Sequence, residues 1–298
     1  MNFIQPKVEW WQQKNLSQHI ARVGRICYKA KGAQPDANMS ADEMESFIQK
    51  RDERRCFDFW LNGHRSMFRH GTKYFFMESD KGLPKYIWTT FYASPFIEFA
   101  TKNHKVWISA NMQFLRENAI LYDALMPFEV NENKFISKAV KADCTDALEC
   151  VRMTMVVTTQ ISTSRELNRT SPNSIAEQST RYCNLEKKGG VQIARPHWFF
   201  NGSLWQRLVY GLVCRVCEWG YNRLLASGLK PEDARGCLPL DTYTVVAYTY
   251  SVAEWRRILD LRFYGSTGKP HPNACFAAEK IHDIILSQMR KYYPEFTI

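Results

Sequence analysis

Long apolar runs are missing from this 298-residue sequence, and no uninterrupted hydrophobic stretch approaches the ~18 residues that a membrane helix needs. The most apolar-looking segment, SLWQRLVYGLVCRVCEWGYNRLL, is broken by Arg207, Arg215 and Glu218. The opening MNFIQPKVEWWQQ has no basic head followed by an apolar core, so no secretory leader is expected. Together these absences predict a soluble, cytoplasmic chain. Internal repeats and low-complexity tracts are also absent, which argues against solenoids and disordered arrays. Paired cysteine motifs are scarce. The nine cysteines are odd in number, and the one C-x-x-C, Cys214 and Cys217, has no second pair with which to build a zinc site. Leu212, Val213, Val216 and Trp219 lie at helical spacing around it, so both thiols are expected to face a core, with no metal.

The formal charge of +10 points to an anionic partner. The basic residues are spread along the chain rather than gathered into a tail or stripe, which favours a small phosphorylated ligand over nucleic acid. An apolar fraction of 45% is ordinary for a globular protein and suffices for a substantial core.

Periodicity sets the architecture. Ser40-Ala41-Asp42-Glu43 reads as a capping box that opens a short helix through Phe47 and Ile48. VWISANMQFLREN reads as a strand turning into a helix. VRMTMVVTTQIS alternates, with Val151, Met153, Met155 and Val157 on one face and Arg152, Thr154 and Thr158 on the other, which predicts a half-buried strand. Thr163-Ser164-Arg165-Glu166 reads as a second capping box, starting a helix that must stop before Pro172. Pro231 opens another helix, SVAEWRRILDLRFYG is helical, and Ile281, Ile284, Ile285 and Met289 mark a packed terminal helix over 276–293. Interleaved helices and strands predict a single α+β domain over 1–298, with a central mixed or antiparallel sheet flanked by helices.

The richest stretch is ELNRTSPNSIAEQSTRYCN, residues 166–184. Arg169 and Arg181 offer planar forks suited to phosphate or to a carbonyl-rich base. Between them Thr170, Ser171, Ser174, Ser179 and Thr180 supply hydroxyls, and backbone amides outside regular structure could complete a cradle without a glycine-rich loop. By composition alone, a solvated polar loop is an equal reading.

The spacing adds more. Arg169, then Ser171, seven residues, Ser179, one residue and Arg181-Tyr182 resembles the signature of flavin-dependent thymidylate synthases, Arg-His-Arg, seven residues, Ser-x-Arg-Tyr. Glu177 matches a glutamate usual two residues before that serine. GHRSMFRH resembles the family's GHxSxxEH, with His64 and Ser66 in register and Arg69 in place of Glu. ARGCLPLDTYT resembles an Ala-Arg-x-x-Leu-Pro-Leu block carrying Arg235, YSVAEWRRILDLR ends in Arg262, and GKPHPN resembles a tail segment of longer members. The departures are Thr170 and Ser171 where the family has His-Arg, Ser251 where it has a flavin-contacting Asn, Ala176 in place of Asn and Ser266 in place of His.

The resemblance implies reductive methylation of dUMP at carbon 5 to dTMP, with FAD as cofactor and NADPH and methylenetetrahydrofolate as co-substrates. Glu166, Arg169, Glu177, Ser179, Thr180, Arg181, Arg235 and Arg262 would bind the nucleotide, with Arg262 catalytic. His64, Ser66, Arg169, Thr170, Ser171, Glu177 and Ser251 would hold FAD. Tyr182 is read as core and Cys183 as a buried thiol. Family members are homotetramers, so this chain is expected to be one. Two alternatives stay open: a relative that methylates or hydroxymethylates another pyrimidine nucleotide, and a catalytically inactive homologue that binds flavin, nucleotide or nucleic acid.

Overall fold

A computed structural model describes residues 1–79, 84–169, 174–187 and 189–298. In chain order its elements are β1 (Asn2–Ile4), β2 (Lys7–Trp10), α1 (Leu16–Tyr28), α2 (Ala41–Leu61), β3 (Thr72–Met77), α3 (Lys85–Ala93), β4 (Ile97–Lys102), β5 (Lys105–Asn111), α4 (Met112–Glu117), α5 (Ala119–Leu125) and β6 (Glu129–Val130). They continue with α6 (Glu132–Lys141), α7 (Thr145–Glu149), β7 (Arg152–Gln160), α8 (Ile161–Leu167), β8 (Ile175–Glu177), β9 (Gln192–Ala194), α9 (Leu204–Ala226), α10 (Pro231–Ala234), β10 (Tyr243–Ser251), α11 (Val252–Leu259) and α12 (Pro272–Met289). The class is α+β, as expected. The strands divide between two antiparallel four-stranded sheets, ordered β2-β7-β10-β8 and β4-β5-β3-β6, with β1 and β9 forming a separate parallel pair. No helix among the described residues is long and apolar enough to cross a membrane.

Alternation along β3 lets one strand serve two cores. Tyr74 and Phe76 join β7, β10, α11 and α12 in the larger cluster, while Phe75 and Met77 join α1, α2 and α3 in the second. Ser40 accepts from the Glu43 amide and Glu43 returns a bond to Ser40, the expected capping box, but α2 runs on to Leu61. The strand-then-helix reading of VWISANMQFLREN matches β5 and α4, where the Asn111 side chain caps the Phe114 amide at 2.9 Å. On α12, Ile281, Ile285 and Met289 are buried, with Ile284 packed beside them.

Strand β7 departs from expectation. All nine residues are buried, because α1 lies over the polar face that alternation assigns to solvent. That face is satisfied internally. His19, Thr154, Thr249 and His70 form a hydrogen-bonded chain with steps of 2.9, 2.7 and 2.8 Å. Arg152 donates to the carbonyls of Arg69 and Thr249 and to Thr72 Oγ1. Burial pushes His19 down to about 4 and His70 to about 3, so both rings are neutral and cost no buried charge.

Two other expectations fail for physical reasons. The second capping box does not form. α8 starts at Ile161, where the chain leaves β7, and Thr163 points inward to donate to Gln160 Oε1. Around the C-x-x-C, Cys214 is buried, but Leu212, Val213, Val216 and Trp219 are exposed, so this side of α9 is apolar yet uncovered.

Candidate active site

The signature strand β8 pairs with the middle of β10, bringing Glu177 opposite Val246. Glu177 Oε1 accepts from Ser164 Oγ on α8 and from Thr244 Oγ1 on β10, each at 2.9 Å. Burial raises its pKa while those two hydroxyls oppose the rise, and their bonds fix the carboxyl in direction. Beyond it, the Ser179 amide donates to the Cys27 carbonyl at 2.9 Å, tying the loop to the end of α1. Ser179 Oγ then accepts from the Arg181 and Tyr182 amides, a tight side-chain turn that sets the direction of Arg181.

Two cationic groups flank this scaffold. In the first, Arg235 Nη1 donates to Thr180 Oγ1 at 2.9 Å, and Arg181 pairs with Glu232 at 3.4 Å on the exposed surface. Glu232 also holds Arg235 through its carbonyl, at 3.1 Å, so one short helix, α10, orients both guanidinium groups. In the second, Arg262 Nε donates to the Glu166 carbonyl at 2.8 Å, and Arg169 Nε reaches the same oxygen at 3.3 Å. Arg262 lies on a π-helical turn, Asp260–Tyr264, that ends at Gly265 with φ of 72°, a left-handed conformation glycine adopts without strain. Among the described residues, both arginines bond through Nε alone, leaving each Nη pair for an acceptor outside the fold.

The remaining residues are distributed as follows. His64 and Ser66 are exposed at the entry to a 3₁₀ turn, Arg65–His70. A ladder of ring contacts joins them to the loop, from Tyr182 to Tyr28, Arg55, Phe59 and His64. Arg69, where a glutamate is usual, donates to Gln113 Oε1 at 2.8 Å and lies over Phe96. Tyr182 is 63% exposed, not core, because its ring rides on the surface beside Arg181 and Tyr28, whereas Cys183 is buried as expected. Thr170 and Ser171 lie outside the described residues.

Ser251 requires a correction. It is fully buried, its Oγ donates to Glu98 at 2.7 Å and accepts from the Glu254 amide at 3.1 Å, and it caps α11. Its one hydroxyl proton is committed to Glu98, so it has no proton to donate outward. Ser164, Thr244 and Glu232, which hold Glu177, Arg181 and Arg235 in place, are not singled out as site residues by the sequence. The only signal for Glu232 was its helical spacing of three from Arg235; the other two depend on sheet pairing.

Residues 97–295 match the family described as thymidylate synthase complementing protein. The chain belongs to that family. The match contains the blocks around Arg169, Arg181, Arg235 and Arg262, while His64 and Ser66 fall before it. Among curated proteins, a flavin-dependent thymidylate synthase from Synechocystis sp. is 26% identical over 161 residues, covering 51% of this chain and 75% of that one. Two solved structures of a UMP/dUMP methylase, PolB from Streptomyces cacaoi, were also found. The one bound with 5-Br dUMP is 24% identical with a TM-score of 0.41, covering 54% of this chain and 79% of its own. The one bound with 5-Br UMP is 23% identical with a TM-score of 0.42, covering 52% and 80%. As a member of the thymidylate synthase complementing protein family, the chain keeps the signature's second half and presents it on β8 and the adjoining loop.

Proposed function

We propose that this protein is a flavin-dependent thymidylate synthase, converting dUMP to dTMP with methylenetetrahydrofolate and NADPH. The observation that carries the reading is the convergence of Arg262 and Arg169 on the Glu166 carbonyl, on the same helix, α8, whose Ser164 holds Glu177. Guanidinium groups fixed through Nε present their remaining donors in a set plane, which suits the carbonyl oxygens of a uracil ring. Arg262 stabilises the negative charge that develops on the ring as carbon 5 becomes nucleophilic. Arg181 and Arg235 receive the 5′-phosphate, and Glu232 keeps the two forks from drifting apart.

The donor set also fits FAD. Its phosphates and ring carbonyls are acceptors, and Arg169, His64 and Ser66 are exposed donors. When bound, the flavin supplies the hydride, drawn from NADPH, that reduces the transferred carbon. Arg169 and Glu177 would orient it, while the Ser251 proton is held by Glu98. A second reading, a relative acting on another pyrimidine nucleotide, is favoured by the closed Ser251 and by Arg69 bonded away to Gln113.

The exposed side of α9 supports self-association into the family's tetramer. Trp205, Leu208, Leu212, Val216 and Trp219 follow one another at helical spacing and are each more than half exposed. A continuous apolar stripe of this kind marks a protein interface. Light scattering is expected to report a multimer for the native chain and a monomer for Leu212→Glu with Val216→Glu; a native monomer contradicts the assembly. For the reaction itself, flavin-loaded protein with methylenetetrahydrofolate and NADPH is expected to form dTMP from dUMP, detected by mass spectrometry. Formation of a different 5-substituted pyrimidine supports the second reading, and no product with any pyrimidine nucleotide refutes both.

A further inference from the structure

A pocket of about 210 Å³ opens where the turn between β1 and β2 meets the segment after β9 and the start of α12. Sites for drug-sized ligands run from about 300 to 1,000 Å³, so this one is too small for a nucleotide, a flavin or a folate. It shares no residue with the candidate active site. Pro6, Pro196, Phe200 and Phe276 give it apolar walls, Arg195 and Asn273 add polar groups, and no carboxylate lines it.

Both polar side chains are held firmly and left with donors to spare. The Arg195 main chain is fastened on either side: its amide donates to the Ile4 carbonyl at 2.9 Å, and its carbonyl accepts from Gln160 Nε2 at 3.0 Å. Its guanidinium lies 5.1 Å from the Phe200 ring centroid and 5.8 Å from that of Phe199. Those contacts engage a face of the group and none of its N–H bonds. Nε is shut off from solvent with no acceptor, and no carboxylate pairs with the guanidinium among the described residues. A buried donor in this state is rare in folded proteins and calls for an explanation. Asn273 is 8% exposed and follows the first residue of α12. Its Oδ1 accepts from the His197 amide at 2.8 Å, while its NH₂ group has no partner among the described residues. The partial positive charge at the N-terminus of this 18-residue helix acts at the same place. Asn273 also ends GKPHPN, a block of the sequence to which the proposed methylation gives no role.

We infer that this pocket binds a small monocarboxylate with an apolar body. A carboxylate takes paired bonds from a guanidinium fork and a further one from the Asn273 amide, and the prolines and phenylalanines cover the rest of the molecule. A bare inorganic anion would leave those walls unused. The inference goes beyond the methylation reading and stands on the pocket alone, so a chain that turns over no pyrimidine would still bind.

The test is equilibrium dialysis of the full chain at neutral pH against labelled phenylacetate, a one-ring probe that carries the charge and the apolar body. Phenylacetate is expected to bind. Unlabelled phenylacetamide, which keeps the shape and loses the charge, and acetate, which keeps the charge and loses the ring, are each expected to compete about tenfold more weakly or worse than unlabelled phenylacetate. Arg195→Gln and Asn273→Asp are each expected to weaken binding about tenfold or more. Aspartate keeps the acceptor for the His197 amide and exchanges the donor for a repelling charge. Circular dichroism checks the fold of both variants, and the competition arms use the native chain, so they hold even where a variant misfolds. Excess dUMP or tetrahydrofolate is expected to leave the probe bound. Absence of phenylacetate binding, equal competition by phenylacetamide or acetate, binding indifferent to Arg195 and Asn273, or displacement by dUMP or tetrahydrofolate overturns the inference.

Discussion

Replacing Glu98 with glutamine should stabilise this protein at alkaline pH and leave it unchanged in acid. Glu98, on β4, accepts the Ser251 hydroxyl at 2.7 Å, and its other oxygen, Oε2, is shut off from solvent with no partner among the described residues. Burial, and then the carboxylate of Glu254, push its pKa from 4.5 up to about 7, against the opposing pull of Arg152, the Ser251 hydroxyl and Arg257. In the unfolded chain the proton leaves near 4.5; in the folded chain it stays until about 7. The stabilising contribution is therefore complete below pH 4.5, falls as pH climbs towards 7, and is gone above it. The full swing is roughly 3 kcal/mol at about 1.4 kcal/mol per pH unit. Glutamine keeps an oxygen for Ser251, offers an amide donor to Glu254 and removes the titration. Urea denaturation at pH 4.5 and pH 8 measures this, with Glu98→Gln expected to match the parent at the lower pH and exceed it by up to about 3 kcal/mol at the higher. An equal difference at both pH values, or a less stable variant at pH 8, refutes the burial argument.

Two further perturbations probe the packing and the scaffold of the site. Gly24→Ala would place a methyl 2.4 Å from the Phe59 ring, so α1 and α2 must part; the expected loss is about 1–3 kcal/mol by denaturant titration, and an unchanged midpoint contradicts the contact. Thr244→Val removes one of the two hydroxyls on Glu177. It should cost about 1 kcal/mol of stability and move the acid limb of the kcat profile to higher pH, while Thr244→Ser restores both; a profile that does not move would detach Glu177 from turnover.

Much of this site can be read along the chain because its residues act locally. The Ser179 side chain bonds amides two and three positions on, and Arg235 is held by a carbonyl three positions back, so linear spacing preserves the geometry. The Ser40 capping box is legible for the same reason. What the sequence conceals is decided by distant segments. The polar face of β7 looks solvent-facing until α1 covers it and His19 and His70 complete its hydrogen bonds. Ser251 resembles a ligand-binding position until Glu98, 153 residues away, takes its hydroxyl. Thr163 reads as a cap because threonine is a good one, yet the helix had already begun at the end of β7. Helix α9 misleads in the other direction. Its apolar stripe predicts a core, and within one chain nothing among the described residues covers it.

The proposed reaction turns on Arg262, whose Nε is anchored to the Glu166 carbonyl and whose outer donors are proposed to meet the pyrimidine. The direct measurement is tritium release from dUMP labelled at carbon 5, with flavin-loaded protein, methylenetetrahydrofolate and NADPH. Release by the native chain and its loss by about a hundredfold in Arg262→Ala, with flavin still bound, is the expected result, since a charge-assisted contact of ~3 kcal/mol would be removed. Release that continues undiminished in Arg262→Ala would contradict the assignment, and no release from the native, flavin-loaded chain would contradict the account as a whole.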